Sequence, residues 1–243
     1  MASYGSLAGW YDRLTSDVDY SSFADYYEKQ FSNHLNDCKL LLDLCCGTGT
    51  LTYMMAERGY ELIAVDASPE MLMEAQSKAA SLENAPLFIC QSADELDLYG
   101  TVDAAYSSLD SINYITPEDI NEVFHRLSLF IRPDGLLIFD VRIPEWLKGM
   151  DGIISVDEDS DVFCVWRADF CKEDACLVYG MDLFTRRGSS WKREQEEHVE
   201  YLYSDTFLRN LLSGNHFHLV SVDSNLDGCG DGRIFYTAIR EKE

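Results

Sequence analysis

Residues 40–51, LLLDLCCGTGTL, run an apolar strand into a glycine loop and on into a helix. Such a junction belongs to parallel β/α architectures, where glycine lets backbone approach a ligand and the helix N-terminus adds partial positive charge. The unit recurs through the first 140 residues or so, with further strand-like runs at 61–66, 86–90, 102–109 and 135–141. Helices are expected from Thr50 to a glycine stop at Gly59, from Ser68-Pro69-Glu70, and from Thr116-Pro117-Glu118-Asp119. Pro133-Asp134-Gly135 is expected to end the segment after the third helix.

Beyond residue 150 the texture changes. VFCVWRADF, ACLVYGMDLFTRR and the stretch around WKREQEEHVEYLY read as antiparallel strands, with turns at Lys172–Asp174 and Gly188-Ser189. SDTFLRNLLSGN reads as a helix capped by Ser204 and stopped by Gly214, and FHLVSVDSN and RIFYTAIR form a closing hairpin. The organisation expected is an N-terminal helical cap (1–36), a core (37–149 and 204–243) and a β-rich insertion (150–203) covering the substrate site. The fold class is α/β, a doubly wound sheet with a small antiparallel insertion.

Composition removes several functions. The net charge is −24, from 43 acidic and 19 basic residues, which repels nucleic acid. Arg186-Arg187 with Lys192-Arg193 read as a solvated hairpin end. The eight cysteines include no C-x-x-C, so no metal site is expected. No apolar run is long enough to span a bilayer, and the N-terminus lacks the basic start and apolar stretch of a secretory signal. A cytoplasmic protein with no membrane or nucleic-acid partner is expected.

The cofactor is the sharper question. Dinucleotide sites follow G-x-G-x-x-G, but here Gly47 and Gly49 are followed by Thr52. Asp43, inside the strand, would repel a pyrophosphate and suit a ligand carrying an ammonium group. Asp66 ends the next strand, where a carboxylate can accept both hydroxyls of a ribose. An ammonium, a ribose and no phosphate describe S-adenosyl-L-methionine.

The sequence from about residue 35 onward resembles the class I S-adenosylmethionine-dependent methyltransferases. Asp43-Leu-Cys45-Cys-Gly47-Thr48-Gly49 looks like that family's first motif, and Val65-Asp66-Ala67-Ser68 with Met71 resembles its second. The resemblance implies a mostly parallel, seven-stranded Rossmann-like sheet with a reversed last strand. It also implies that the glycine loop abuts the methionine part and that Asp66 holds the ribose. Ala93, Asp94 and Glu95 match the adenine position, and Ser108, Leu109, Asp110 and Asn113 match the loop beside the reactive methyl. The N-terminal segment and the insertion resemble a bacterial subgroup of small-molecule methyltransferases, akin to glycine and sugar N-methyltransferases. There the tyrosine of the Tyr-Asp pair, here Tyr11, closes over the cofactor.

The reaction expected is in-line methyl displacement onto a nitrogen or oxygen of a small-molecule acceptor, with acceleration largely from alignment. His198 is the candidate base, with Glu194 and Glu197 near it in sequence, and Tyr11 is the other catalytic candidate. A non-catalytic binder of the same cofactor and a nucleotide-dependent oxidoreductase are the alternatives.

Overall fold

In the computed structural model, residues 5, 7–78, 84–224 and 226–242 are described. Residues 1–4 and 6 of the expected N-terminal cap lie outside them. The core is a seven-stranded sheet of order β10-β11-β5-β4-β1-β2-β3. Its strands are β1 (Leu40–Leu44), β2 (Glu61–Asp66), β3 (Leu87–Cys90), β4 (Val102–Ser107), β5 (Ile131–Arg142), β10 (Phe217–Ser224) and β11 (Arg233–Arg240). Strands β1 to β5 pair in parallel, whereas β11 runs antiparallel to both β5 and β10. The reversed final hairpin is therefore present.

Strand alternation divides the core in two. Leu42, Ala105, Leu137 and Phe139 point to one face, against Phe124 and Leu127 of α5 (Ile120–Phe130) and Leu208 and Leu212 of α7 (Asp205–Gly214). Leu41, Ala104, Leu136 and Ile138 point to the other, against Phe23, Tyr27 and Phe31 of α2 (Tyr20–His34) and Met55 of α3 (Thr50–Glu57). Both faces are covered, as a parallel sheet requires. Helix α4 (Pro69–Lys78) follows β2, and Ser204 caps α7 by accepting from Phe207 N at 3.2 Å.

A second, antiparallel sheet has the order β6-β7-β8-β9: Ile154–Asp159, Val162–Cys171, Cys176–Arg187 and Ser190–Tyr201. Its first strand and the short helix α6 (Pro144–Gly149) before it were not foreseen. Neither carries a strong periodic pattern: β6 is almost wholly exposed, and α6 has only six residues. The four residues Tyr11–Leu14 form α1, and Leu7, Trp10, Tyr11 and Leu14 pack on Val162, Cys164, Met181 and Leu183 of this sheet.

Two boundaries differ from the sequence reading. Thr116–Asp119 make a turn, not the first turn of α5: the Thr116 hydroxyl donates to Asp119 Oδ2 at 2.8 Å and accepts from Asp119 N. Pro133-Asp134-Gly135 does not break the chain between elements. It lies inside β5, where the register against β4 shifts between Val102↔Ile131 and Ala104↔Leu136. Gly135 is obligatory there, because a Cβ would meet two carbonyl oxygens at 2.7 Å.

Candidate active site

A cavity of about 640 Å³ opens at the carboxyl ends of β1, β2 and β4 and reaches β9 of the second sheet. This is the ligand position of open α/β sheets. The loop after β1 is held by carboxylates from below. Asp43 is 3% exposed, and its Oδ2 accepts from the Thr52 hydroxyl at 2.5 Å and from Tyr106 at 3.0 Å. Thr52, where a dinucleotide motif has its third glycine, thus orients the acid of the first motif. Burial pushes the Asp43 carboxyl up to about 7, against the lowering effect of those two hydroxyls.

Asp66 bridges the two motifs. One oxygen accepts from Gly47 N and the other from Ser68 N, both at 2.8 Å. Burial raises its pKa, and the backbone donors oppose that rise. Gly47 has φ +55°, and a Cβ there would meet nothing within 4 Å, so its bare face is open. Gly49, at φ +73°, is tight instead: a Cβ there would meet Ala75 at 3.2 Å and Phe88 at 3.3 Å, and it does not line the cavity. Cys45 also sits in the left-handed region, at φ 60°. A side chain there costs roughly 1–2 kcal/mol. Cys45→Gly should therefore raise the melting temperature by ~2–4 °C, about 1 kcal/mol for a chain of this size once glycine's added entropy is subtracted. A thermal melt that falls would show that the Cys45 side chain earns its place by packing.

Of the remaining expected residues, Thr48, Ala67, Met71 and Ala93 line the cavity. So do Tyr11, Ser108, Leu109 and Asp110. Asp94 and Glu95 do not: Asp94 accepts from the Ser92 hydroxyl, and Gln91 lines the wall instead. Asn113 is fully buried and clamps three segments, accepting from Arg142 N at 2.9 Å and donating to Tyr201 O at 2.9 Å. It does not line the cavity.

The loop after β4 is strained. Leu109 and Asp110 both have positive φ, near 55°. Their amides point at one buried carboxylate, Leu109 N to Asp140 Oδ1 at 3.0 Å and Asp110 N to Asp140 Oδ2 at 2.8 Å. Arg233 neutralises Asp140 and reaches Asp110 at 2.6 Å. A strand-end carboxylate and a hairpin arginine thus fix the conformation of a cavity-lining loop.

On the roof, His198 is 2% exposed and lines the cavity, with Nε2 3.4 Å from Glu196. Its carboxylate neighbour is Glu196, because Glu197 points to the opposite strand face and Glu194, on the same face, lies two residues further along. The sequence reading also missed Tyr114, Arg142 and Arg233, which line the cavity together with Tyr201. They come from a 3-10 turn and three strand ends, and no local motif marks them.

The N-terminal segment ties floor to roof. Asp12 accepts from Thr48 and Thr50 beside the glycine loop and pairs with Lys78. Leu7 N donates to Glu196 at 3.2 Å, and Arg13 pairs with Asp159 at 2.8 Å. Tyr11 lies between those anchors and lines both the main cavity and a smaller one of about 150 Å³.

An open glycine face, a buried acid suited to an ammonium group and a second acid at the end of β2 fit S-adenosylmethionine, and define a class I methyltransferase site. Comparison with known proteins agrees. A methyltransferase-domain family model matches residues 41–135. A Bacillus subtilis (strain 168) protein named "Putative methyltransferase YqeM" is 28% identical over 246 residues, spanning 98% of each chain. The crystal structure of an S-adenosylmethionine-dependent methyltransferase from Clostridium acetobutylicum ATCC 824 superposes with a TM-score of 0.86 at 28% identity, covering 98% of this chain and 99% of that one. The S-adenosylmethionine-bound amino pentose methyltransferase CalS10 from Micromonospora echinaspora shares the fold, with a TM-score of 0.77 at 18% identity over 95% of this chain and 96% of its own. The protein is a class I S-adenosylmethionine-dependent methyltransferase, an enzyme whose cofactor is S-adenosylmethionine.

Proposed function

We propose that the enzyme methylates a nitrogen or oxygen of a small-molecule acceptor held between the core and the second sheet. One observation carries this reading: a single cavity is lined both by Asp43, Gly47 and Asp66 of the core and by His198 and Tyr201 of β9. In the arrangement proposed, Asp43 binds the ammonium group of the cofactor, Asp66 the ribose, and the wall of Met71, Gln91 and Ala93 the adenine. The bound cofactor supplies an electrophilic methyl on a sulfonium. Residues 150–203 serve as the acceptor's cover and 1–36 as the cap that closes over the cofactor through Tyr11, with 37–149 and 204–243 as the core. His198, beside Glu196, orients the acceptor. Strong acidity argues against a nucleic-acid substrate, no helix among the described residues is long and apolar enough to cross a membrane, and all eight cysteines are free, which supports work in the cytoplasm.

S-adenosylmethionine and S-adenosylhomocysteine should each raise the melting temperature, by ~2.7 kcal/mol of added stability at a hundredfold excess over Kd. NAD should not. Methyl transfer from labelled S-adenosylmethionine, screened over small amines, phenols and carboxylic acids, tests the acceptor class directly. Methylation confined to protein or nucleic acid would overturn it.

A further inference from the structure

A buried acid lies behind the cavity walls. Glu200 lies on the same face of β9 as His198, two residues on, and is 3% exposed. Its Oε1 accepts from the Tyr114 hydroxyl at 3.1 Å, while Oε2 is buried with no hydrogen-bond partner. A buried carboxylate oxygen without a partner is costly, and a fold keeps one where the group does something. Glu200 does not line the cavity, but Tyr114 lines both the main cavity and the small one, as do Tyr11 and His198. Tyr114 therefore stands between Glu200 and whatever occupies the acceptor end.

The charges around this point are lopsided. Asp110, Asp140 and Glu200 gather around Arg142 and Arg233, and Glu196 lies nearby beside His198. Arg233 pairs with Asp140 and Asp110, while Arg142 lies 3.7 Å from Asp110, sits 4.3 Å from the ring centroid of Trp146 and donates to Asp231 O. Such a pocket favours a cation and disfavours an anionic acceptor.

Building on the methyl-transfer reading, we propose that Tyr114 and Glu200 form the proton-accepting pair of this site, and that the acceptor they serve is an amine entering as its ammonium. The ammonium proton passes to the Tyr114 oxygen as the Tyr114 proton passes to Glu200 Oε1, leaving a neutral amine and a neutral carboxylic acid. The nitrogen lone pair then forms the bond to the methyl carbon while the carbon–sulfur bond breaks, its electron pair staying on sulfur. Tyr114 touches the acceptor; Glu200 is a positioning residue that acts through it. The groups facing Glu200 are Asp110, Tyr114, Arg142 and Arg233, with Tyr179 of β8 also within its field. Burial first, and Asp110 second, push the Glu200 carboxyl up to about 8, in the range of a proton acceptor near neutrality.

The test has two arms. In the first, the full chain carries ¹³C-labelled glutamate carboxyls and is loaded with S-adenosylhomocysteine, and the resonance missing from Glu200→Gln is titrated. A midpoint well above the ordinary glutamate range, near 8, is expected. A Glu200 that stays ionised down to pH 5 overturns the pair, whether or not any acceptor has been found. In the second arm, turnover over amines, phenols and carboxylic acids should favour amines, with kcat/KM rising with pH through the same midpoint. Glu200→Gln and Tyr114→Phe should each lower kcat at pH 7 by about a hundredfold and erase that limb. Glu200→Asp should recover part of the rate, and S-adenosylhomocysteine affinity should stay within about twofold throughout, as for residues outside the cofactor's contacts. Methylation of phenols or carboxylates alone, or an unchanged pH profile in Glu200→Gln, overturns the proposal. Turnover with none of the three classes counts against the small-molecule reading, and the titration still decides the pair.

Discussion

Asp43→Asn yields a folded protein that binds S-adenosylmethionine and S-adenosylhomocysteine about a hundredfold more weakly, a loss of ~3 kcal/mol of the kind measured when one member of a buried charge pair is removed. The fold survives because the amide oxygen can still accept from Thr52 and Tyr106, the two hydroxyls that converge on Asp43 Oδ2. Stability should even shift in the variant's favour. The Asp43 carboxyl titrates near 7 in the folded protein, far above its value in an unfolded chain, because burial disfavours its charge. A raised folded pKa means stability fully present below the unfolded value, near 4, and lost as pH rises through about 7. Without ligand, wild type should therefore lose stability between about pH 4 and 7 relative to Asp43→Asn, and the gap should stay constant above pH 8. Binding runs the other way, since an ammonium ligand needs the carboxylate. Wild-type affinity should strengthen as pH rises through about 7, while Asp43→Asn shows a flat profile. Calorimetric titrations of both proteins at pH 6 and pH 8 settle it, and equal affinities at pH 8 would mean that another group holds the ammonium.

Asp43 also shows how far the sequence could be read. Its place in an apolar strand four residues before Gly47 separated this loop from a dinucleotide loop. The replacement of a third glycine by Thr52 looked like a mere absence, and the structure makes it the hydroxyl that orients the acid. Strands, caps and the reversed hairpin were legible because each is written within some ten residues of sequence, in alternation, a capping serine or a glycine stop. The end of the cavity under β9 was not. Tyr114, Arg142, Glu200 and Arg233 meet only through the topology, with β11 inserted beside β5 and β9 folded back over the 3-10 turn after β4. No spacing in the sequence encodes that meeting. Cys45 is an intermediate case: its left-handed φ is a position where glycine is easier, and nothing in an apolar Cys-Cys pair announces it.

Arg233→Met carries the largest expected cost in stability. The guanidinium, 3% exposed, pairs with Asp140, which is fully buried, and with Asp110 at 2.6 Å, and its Nε donates to Cys229 O at 2.9 Å. Methionine fills much of the same volume but leaves Asp140 buried without its cation. Removing one partner of a buried pair costs about 3–5 kcal/mol, which lowers the midpoint of a chain this size by roughly 10 °C. Asp140 can escape part of that cost by taking up a proton, since burial already raises its pKa and Arg233 and the Asp110 amide oppose that rise. A protonated Asp140 accepts less well from the Leu109 and Asp110 amides, and those two residues hold positive φ only while their amides are gripped. The loop after β4 should then relax, taking Asp110 out of the cavity wall. Stability and turnover should therefore fall together, whereas cofactor affinity, which the proposed arrangement assigns mainly to the loops after β1 and β2, should fall by less than about tenfold, under ~1.4 kcal/mol. Arg233→Lys keeps the charge and loses the fork that spans both aspartates, so it should sit between wild type and methionine. Urea melts of the three proteins at pH 7, run beside calorimetric titration of S-adenosylhomocysteine, make the comparison. A methionine variant as stable as wild type would mean that the Asp140–Arg233–Asp110 group is not what holds the loop.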